Sequence, residues 1–317
     1  MAVRGKCWII GRRNGVGLEQ DAALLSRALT AAGWTVEAHA PRDWKVLLNP
    51  GKKADVIIHL ERVFPVWKLK KAVHFLIPNQ ERYPVRQVGR LKKVDHILCK
   101  SRHAEEIFSR LHPSVHFTGF TSPDRVLGES SPDYGRFFHL AGKSTLKNTE
   151  VLLELWSRHP EWPPLTLVQH PSNAPATVPP NVELLSGYLD ADELRALQNS
   201  RGIHLCPSLS EGWGHYIVEA MSCHAVTVTT DAPPMNELVQ RDHGIVVPYH
   251  QDEPRHLGRN YKVDPALLEE AIIALIAAPA EEKRALGNAA RKWFLRNDEN
   301  FNRILPERVG KLVGTRP

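Results

Sequence analysis

The chain has 317 residues, 42% of them hydrophobic, and a formal net charge of +6. This size and composition predict a globular protein with a large buried core and two domains. They exclude a bilayer-spanning protein, since no apolar run reaches the roughly 18 to 20 residues that a membrane helix needs. The apolar run near the N-terminus is too short for a signal peptide, so we expect a cytoplasmic location.

Basic residues are concentrated in the first part of the chain. Residues 1–122 contain 21 Lys and Arg against 10 Asp and Glu, whereas the remainder contains 20 against 25. Such a split indicates that the two halves bind different partners and that the first half binds something anionic.

Cysteine usage argues against both disulfides and a metal site. The four cysteines lie in or beside apolar runs and have no CxxC spacing, which is typical of buried, reduced thiols. His204, His215 and His224 fall near Cys206 and Cys223 in the sequence, but their spacing matches no known ligand set. We therefore expect no metal.

The first half alternates apolar runs with helical patterns, as in a parallel sheet wrapped by helices. Strands are predicted at 7–10, 35–40, 55–60, 72–77, 95–99 and 115–120, and helices at 17–32, 84–93 and 102–111. The stretch that follows is rich in Ser, Pro, Asp and Gly, which indicates an interdomain linker at 123–135.

The second half repeats the same alternation. Strands are predicted at 137–141, 165–169, 182–185, 203–206, 225–230 and 244–248, helices at 148–158, 191–199, 215–223, 235–240, 264–277 and 281–296, and a polar loop before the last two helices. We therefore expect an α/β protein with two Rossmann-like, doubly wound domains, 1–122 and 136–296, which face a central cleft. We expect the tail, 297–317, to pack back on the first domain.

The most informative segment is 203–223, IHLCPSLSEGWGHYIVEAMSC. A buried strand ends at Pro207, and Gly212 and Gly214 allow a tight turn into a helix. A helix start offers unpaired N–H groups and a positive dipole end, and glycines let a diphosphate approach them. Glu211 in the turn and Glu219 in the helix would then bind hydroxyl groups of a sugar and a ribose.

The spacing of these two glutamates is weak support by itself. With 22 glutamates in the chain, about 1.5 pairs are expected eight residues apart by chance, and Glu299 with Glu307 is a second such pair. Only the first pair lies at a glycine turn between a strand and a helix.

A second turn with phosphate-binding character lies at 139–156, HLAGKSTLKNTEVLLELW. It places Gly142, Lys143 and Lys147 between a strand and a helix. Two cations over a pyrophosphate would stabilise the charge that develops as a nucleoside diphosphate leaves, which would make a metal unnecessary. A solvated loop with ordinary surface lysines is the alternative interpretation.

Together these segments resemble the C-terminal domain of retaining glycosyltransferases of the GT-B fold, specifically the group 1 or GT4 family. The stretch EGWGHYIVEAM resembles its paired-glutamate signature, and Gly142, Lys143 and Lys147 resemble its phosphate-binding segment, with Lys143 in place of the usual arginine. Glu237 in DAPPMNELV corresponds to a further glutamate of the family. The resemblance covers residues 136–250, and the first half matches only in the order of its elements.

The resemblance implies transfer of a sugar from a nucleotide donor with retention of anomeric configuration, without a cofactor and without a covalent carboxylate intermediate. The basic first half, and not the resemblance, indicates an anionic acceptor, either lipid-linked or nucleic acid, with a neutral small molecule as the alternative. A lipid-linked acceptor allows a peripheral membrane location. The implied catalytic residues are Glu211, Lys143 and Lys147, and the implied donor-binding residues are Gly142, Gly212, Trp213, Gly214, His215, Glu219, Gly15 and Gly17.

The acceptor side is assigned to the first half. Pro78 ends a strand and leaves Asn79 and Glu81 at its edge, where they would replace a histidine that the family often has; His74 falls earlier, at a position typical of packing. A basic helical face and an apolar strip are predicted next to each other over 82–93. The basic face comprises Arg82, Arg86, Arg90 and Lys93, and it would bind anionic lipid or nucleic acid or simply be solvated.

Two other functions fit the same sequence. An epimerase or a phosphorylase would keep the fold, although the pyridoxal lysine motif of a phosphorylase is absent. A non-catalytic module would use the basic half to bind nucleic acid or a membrane and the second domain to sense nucleotides. Donor base, donor sugar and oligomeric state are left open.

Overall fold

The structure is a computed structural model that describes residues 4–12, 16–128, 131–187 and 189–314, with only the backbone of Val16. The chain divides into two compact units. Unit 1 comprises Met1–Ser122, Arg255–Gly258 and Asn297–Pro317, and unit 2 comprises Pro123–Pro254 and Arg259–Arg296.

Unit 1 is built on a six-stranded sheet in which all strand pairs are parallel. Its strands lie in the order β2-β1-β3-β4-β5-β6, and β3 and β4 are buried along their whole length, as expected of strands covered on both faces. The elements are β1 Gly5–Ile10, α1 Val16–Ala31, β2 Trp34–His39, α2 Trp44–Leu47, β3 Val56–Glu61, β4 Val73–Pro78, β5 His96–Cys99, α3 Arg102–Ser109 and β6 Val115–Phe117. Short 3₁₀ helices cover Pro65–Leu69, Gln80–Arg82 and Val85–Lys93.

Unit 2 contains a second six-stranded parallel sheet, ordered β12-β11-β10-β7-β8-β9, and a two-stranded ribbon of β13 and β14. The elements are β7 Asp133–Gly142, α4 Thr149–Arg158, β8 Leu165–Gln169, β9 Val182–Leu185, α5 Ala191–Ser200, β10 Arg201–Cys206, α6 His215–Ser222, β11 Val226–Thr230, α7 Met235–Leu238, β12 Ile245–Val247, β13 Tyr249–Arg255, β14 Gly258–Val263, α8 Pro265–Ala277 and α9 Ala280–Gly314. The chain winds from β7 outward through β8 and β9, then returns to β10 and winds the other way. The switch point of unit 2 therefore lies between β7 and β10.

The predicted helix at 84–93 is a 3₁₀ helix, and this corrects the predicted basic face. At three residues per turn, Val85, Val88 and Leu91 fall on one side, and Leu91 is buried there. The predicted basic residues share a face only at α-helical spacing: Arg86, Arg90 and Lys93 are divided between the other two sides, and Arg82 lies in the preceding 3₁₀ helix. The apolar strip of the prediction is therefore present, and the single basic face is not.

Three further boundaries differ from the sequence prediction. The first residues of β7, Asp133–Gly135, fall inside the predicted linker. The polar loop before α8 is the β13–β14 ribbon, whose β13 is too solvent-exposed to carry an apolar alternation. The predicted helix at 281–296 continues as α9 to Gly314 because a buried stripe, Phe301, Leu305 and Val309, extends it at four-residue spacing. In the described part of the chain, no helix has the length and apolar character to cross a membrane.

Glycine is required at one position of α9 because the helix meets a neighbouring backbone there. A Cβ atom at Gly287 would lie 2.0 Å from the carbonyl oxygen of His224, which also accepts a hydrogen bond from the hydroxyl of Tyr134. At Gly310, farther along α9, the nearest atom to such a Cβ would be Nη1 of Arg4, at 3.5 Å. The first position has no space for a methyl group and the second does.

We expect Gly287→Ala to lower the free energy of unfolding by about 2 kcal/mol through overpacking. Gly310→Ala, its control in the same helix, should leave stability unchanged or raise it by up to about 1 kcal/mol, since alanine is the better helix former. Chemical denaturation of both variants measures the difference. Equal effects at the two positions would contradict the close approach at Gly287.

Candidate functional site

Two loops meet at the switch point of unit 2. The loop at 143–148 follows β7 and the loop at 207–214 follows β10, and both therefore leave the carboxyl edge of the sheet at adjacent strands. The backbone N–H of Leu209 donates to the carbonyl of Leu146 at 2.9 Å, which joins the two loops. Ligands of doubly wound sheets bind at this position.

Both loops use glycine in a left-handed conformation. Gly142, at the end of β7, has φ +54°, and Gly214, the residue before α6, has φ +110°. A Cβ at Gly214 would also lie 3.0 Å from Leu238 and 3.1 Å from Ile217, so that glycine is required there for both reasons. The turn places the N-terminus of α6, the positive end of its dipole, at the switch point.

Lys147 and Glu211 form an ion pair between the two loops. The Nζ atom of Lys147 lies 2.6 Å from Oε1 of Glu211, and the side chains are only 14% and 13% exposed. The hydroxyl of Ser208 donates to the same oxygen at 2.6 Å. Lys147 Nζ also lies 3.5 Å from the ring centroid of Tyr216, in a cation–π contact. One cation and one carboxylate are thus held in fixed positions.

The neighbours of this pair are uncharged at neutral pH. Burial raises the pKa of Tyr216 well above 10, and the nearby Cys206 and Glu211 raise it further. Burial also raises the pKa of the Cys206 thiol. The Tyr216 hydroxyl forms a 2.5 Å hydrogen bond with Ser208, so it positions the residue that contacts Glu211. These groups orient the ion pair without adding charge.

Glu219 belongs to a different network from Glu211. It lies in α6, is 6% exposed, and its Oε2 accepts a hydrogen bond of 3.0 Å from Nε2 of Gln198. The guanidinium of Arg125 lies 3.7 Å from the same oxygen and donates to Oε1 of Gln198. Arg125 is itself fixed to α6, because its backbone N–H donates to the hydroxyl of Ser222. The structure therefore separates the two predicted glutamates into two polar clusters.

His139 supports the loop that carries Lys147. Its Nδ1 lies 2.7 Å from the carbonyl oxygen of Leu205 and its Nε2 lies 3.0 Å from the hydroxyl of Thr149. A carbonyl oxygen only accepts, so Nδ1 carries the proton and Nε2 accepts from Thr149. Burial, together with the smaller effect of the Lys147 charge, lowers the pKa of His139 to about 4. This neutral ring joins β7 to β10 and to the start of α4.

The other predicted donor-side residues lie in or beside the same loops. Gly212 and Trp213 are buried, and His215 is the half-buried first residue of α6. Lys143 is exposed, and its carbonyl accepts a hydrogen bond from Asn173, so the structure does not place its side chain in the Lys147 cluster. Two further predicted residues belong to unit 1. Gly17 lies in the first turn of α1, and Gly15 lies outside the described residues.

The predicted acceptor-side residues follow β4 in unit 1. Asn79 is half-buried, with a buried Oδ1 that has no hydrogen-bond partner. Glu81 is buried beside Arg82, at 3.7 Å. Arg82 and the remaining three, Arg86, Arg90 and Lys93, are exposed.

Several residues of these clusters were not predicted from the sequence. Ser208 and Tyr216 lie inside the glutamate motif, but no role was predicted for them. Only the folded loop brings these two side chains next to each other and to Glu211. Gln198 is almost fully buried on α5, and a polar residue on the buried face of an amphipathic helix is a detectable signal. No group of three or more His, Cys, Asp or Glu side chains suited to a metal ion occurs among the described residues.

Known proteins resemble this chain in sequence over part of its second half and in structure over almost its whole length. Residues 178–293 match the family model of glycosyl transferases group 1. The sucrose-phosphate synthase of Thermosynechococcus elongatus is similar in structure, with a TM-score of 0.73 at 15% identity over 98% of this chain and 100% of that chain. The Anabaena protein HepE in complex with UDP and glucose has a TM-score of 0.72 at 12% identity over 98% and 100%.

A glycosyltransferase from Rickettsia africae is also similar, with a TM-score of 0.69 at 12% identity over 98% of this chain and 99% of that chain. No curated protein sequence matches the chain significantly. The structural likeness confirms the predicted fold of two doubly wound domains, since these proteins are covered along almost their whole length.

The buried His139 predicts a loss of stability in acid. A histidine with a pKa near 6.5 when unfolded and about 4 when folded contributes stability that is complete above pH 6.5 and is lost as the pH falls towards 4. Between pH 7 and pH 5 this loss is about 2 kcal/mol.

We expect His139→Asn to be less stable than the wild type at pH 7 but to lose about 2 kcal/mol less between pH 7 and pH 5. His170→Asn, at an exposed histidine of the loop after β8, is the control and should leave the pH dependence unchanged. Urea denaturation at the two pH values measures both. If His139→Asn keeps the full acid sensitivity of the wild type, His139 is not buried as a neutral ring.

Proposed function

We propose that this chain is a group 1 glycosyltransferase with the GT-B fold, which transfers a sugar from a nucleoside-diphosphate sugar to an anionic acceptor with retention of anomeric configuration. The observation that carries the proposal is the Lys147–Glu211 ion pair at the switch point of unit 2, beside the N-terminus of α6. A cation and helix N–H groups suit a diphosphate, and an adjacent carboxylate suits sugar hydroxyls.

The ion pair gives the donor site a specific binding step. In the structure, the ammonium group of Lys147 is held by Glu211. A donor diphosphate carries more negative charge than one carboxylate and would compete for that ammonium group. Lys147 would then bind the diphosphate, and Glu211 would accept hydrogen bonds from the sugar. Lys143, exposed on the same loop, would add a second cation without the need for a metal ion.

The proposed reaction is a transfer on one face of the sugar. The bond between the anomeric carbon and the diphosphate oxygen breaks, and a bond forms between the anomeric carbon and an acceptor oxygen. The proton of the acceptor hydroxyl passes to the departing diphosphate, whose charge Lys147 stabilises. Glu211 is already committed to Lys147 and Ser208, which favours a binding role over attack on the anomeric carbon.

Glu219 would bind the ribose, as the family resemblance implies. Its carboxylate is held rigid by Gln198 and Arg125, so the position of the ribose would be determined by α5 and α6 together. Trp213 and His215 border the same turn and would line the donor pocket. UDP-glucose is the first donor to test, because the similar Anabaena protein was solved with it.

The test compares Glu211→Gln with Lys147→Met. We expect Glu211→Gln to bind UDP about five-fold more tightly, because the amide no longer competes for Lys147 or repels the diphosphate. The same variant should lose at least about 100-fold in turnover of the donor, as a hydrogen bond to the sugar is weakened. Lys147→Met should lose both binding and turnover. Isothermal titration with UDP and a panel of UDP-, GDP-, ADP- and dTDP-sugars supplies the measurements.

The results of these measurements distinguish a transferase from a non-catalytic module and test the position of the donor site. Lys262→Met, at an exposed lysine of β14, is the control and should bind UDP like the wild type. A protein that binds donors but never turns them over with any acceptor would favour the non-catalytic module instead. If no nucleotide binds, or Lys147→Met and the wild type bind equally well, the donor site is assigned wrongly. Retention is tested separately by the anomeric configuration of the product.

The anionic acceptor is supported by an arginine cluster in unit 1. The turn Arg255–Gly258, between β13 and β14, belongs to this unit, and Leu257 N–H donates to the carbonyl of Gln80 at 3.2 Å. Leu257 packs against the core cluster that contains Val63 and Tyr83, and its bond to Gln80 places the turn against the residues that follow β4. The turn itself carries Arg255 and His256, and the charges of Arg62, Arg82 and Arg86 act on His256 from the neighbouring residues of unit 1.

The charges of this cluster are incompletely balanced. Arg62 lies 3.0 Å from Glu61, and Arg82 lies 3.7 Å from Glu81. The buried Nε atom of Arg255 has no hydrogen-bond partner. The pKa of His256 is lowered by burial and by the positive charges of all four arginines. Several guanidinium groups around one point favour a phosphoryl group, whose oxygens accept their paired N–H groups.

We expect inorganic phosphate to bind this cluster in protein whose donor site is saturated with UDP. Arg255→Gln and Arg86→Gln should each weaken that binding about five-fold or more, since each removes one charge-assisted contact. Arg110→Gln, at an exposed arginine of unit 1 that pairs with Glu106, is the control. Thermal shifts are compared with chloride at equal ionic strength. No phosphate-specific shift, or equal shifts in all variants, would exclude this acceptor site.

A further inference from the structure

The helix α2 presents two large apolar side chains to solvent. Val46 and Leu47 point inward and pack with Trp8 in the core of unit 1. Trp44 and Leu48, four residues apart and therefore on one face, are 51% and 73% exposed. Asp43 caps the helix by accepting from the N–H of Val46, so the exposed pair is held on a formed turn.

A second segment adds a third exposed apolar side chain. In the 3₁₀ helix Pro65–Leu69, Trp67 is buried and its indole N–H donates to the carbonyl of Pro41, whereas Leu69 is 75% exposed. The next residue, Lys70, donates to the carbonyls of Asn49 and Lys52 at 2.6 and 3.1 Å. These bonds fasten the two segments side by side. Trp44, Leu48 and Leu69 are three of the four most exposed large apolar side chains in the described part of the chain.

Basic residues surround the three apolar side chains. Segments 42–53 and 68–71 contain seven Lys and Arg and a single acidic residue, Asp43, which is already bound to His39 at 3.0 Å. Lys70 is partly buried, and the other six are exposed: Arg42, Lys45, Lys52, Lys53, Lys68 and Lys71. Asp95, outside the two segments, lies 3.4 Å from Lys68. We call the three apolar and seven basic side chains the Trp44 patch.

We propose that the Trp44 patch docks unit 1 on an anionic lipid bilayer. Exposed tryptophan and leucine side chains insert at the boundary between headgroups and acyl chains, and surrounding lysines bind anionic headgroups. This surface shares no residue with the basic segment at 82–93 or with the arginine cluster. The proposal does not rest on the transferase activity, because it concerns only where the protein binds.

Charge and shape favour a bilayer over other occupants. A second copy of the chain that used the same surface would bring two sets of basic residues together, which is unfavourable. A nucleic-acid backbone would satisfy the lysines but offers no apolar volume for Leu48 and Leu69. A bilayer supplies both the anionic surface and the apolar layer beneath it.

The test is cosedimentation of the full chain with phosphatidylcholine vesicles, with and without phosphatidylglycerol. We expect binding only to the vesicles with phosphatidylglycerol, falling as salt rises. The triple variant Trp44→Ser, Leu48→Ser and Leu69→Ser should bind at least about ten-fold more weakly. These side chains are exposed, so an unchanged melting temperature is expected and shows that the variant is folded.

Two controls make the test specific. Leu267→Ser, Ile273→Ser and Leu295→Ser remove exposed apolar side chains from unit 2 and should leave vesicle binding unchanged. Replacing Lys45, Lys52 and Lys71 by Gln should weaken binding by roughly five-fold per charge, whereas the same change at Lys262 and Lys292, two exposed lysines of unit 2, should have less effect per charge.

The outcomes that overturn the proposal are distinct. The proposal would be overturned by no binding to either kind of vesicle, by equal binding to neutral vesicles, or by full binding of the Trp44 triple variant. A concentration-dependent dimer that the triple variant abolishes, without vesicle binding, would assign the patch to a second copy instead. None of these outcomes depends on UDP binding, so failure here leaves the donor-site proposal intact, and failure there leaves this one intact.

Discussion

The pairing of β7 with β10 is the constraint on which the candidate site depends. These strands are adjacent and parallel, yet the chain leaves them to wind in opposite directions, so that the loops after both open onto one crevice. The bond between Leu209 and Leu146 holds those loops together, and His139 fixes the strands beneath them. Lys147 and Glu211, 64 residues apart in the sequence, meet because of this topology.

The ion pair of Lys147 and Glu211 explains how two charged groups can be nearly buried at this site. A lone ammonium or carboxylate with so little exposure would be costly to desolvate, and each group here lowers that cost for the other. The pairing also keeps the cation in the place where a diphosphate would need it. Stability of the ion pair and the proposed affinity for an anion are therefore coupled through Lys147, for which the Glu211 carboxylate would compete.

Sequence patterns predicted the parallel sheets well because their strands are continuous apolar runs, such as the one in β3. They did not predict the β13–β14 ribbon, because its exposed strand β13 is polar. They also predicted an α-helix for the basic segment at 85–93, which forms a 3₁₀ helix. The glycine turn and Glu211 were visible in the sequence because turn chemistry is local. Ser208 and Arg125 were not, because their partners are chosen by tertiary contacts.

The two glutamates of the motif are alike in the sequence but physically different in the fold. Glu211 follows a strand and lies in a loop, where it pairs with Lys147 and accepts a hydrogen bond from Ser208. Glu219 lies within α6, and its partners are anchored in turn, Gln198 in α5 and Arg125 through Ser222. In the proposed donor site, Glu211 would exchange Lys147 for the sugar, and it lies in a loop. Glu219 would keep its position, and it lies in a helix. Eight residues of separation are enough to place one in each environment.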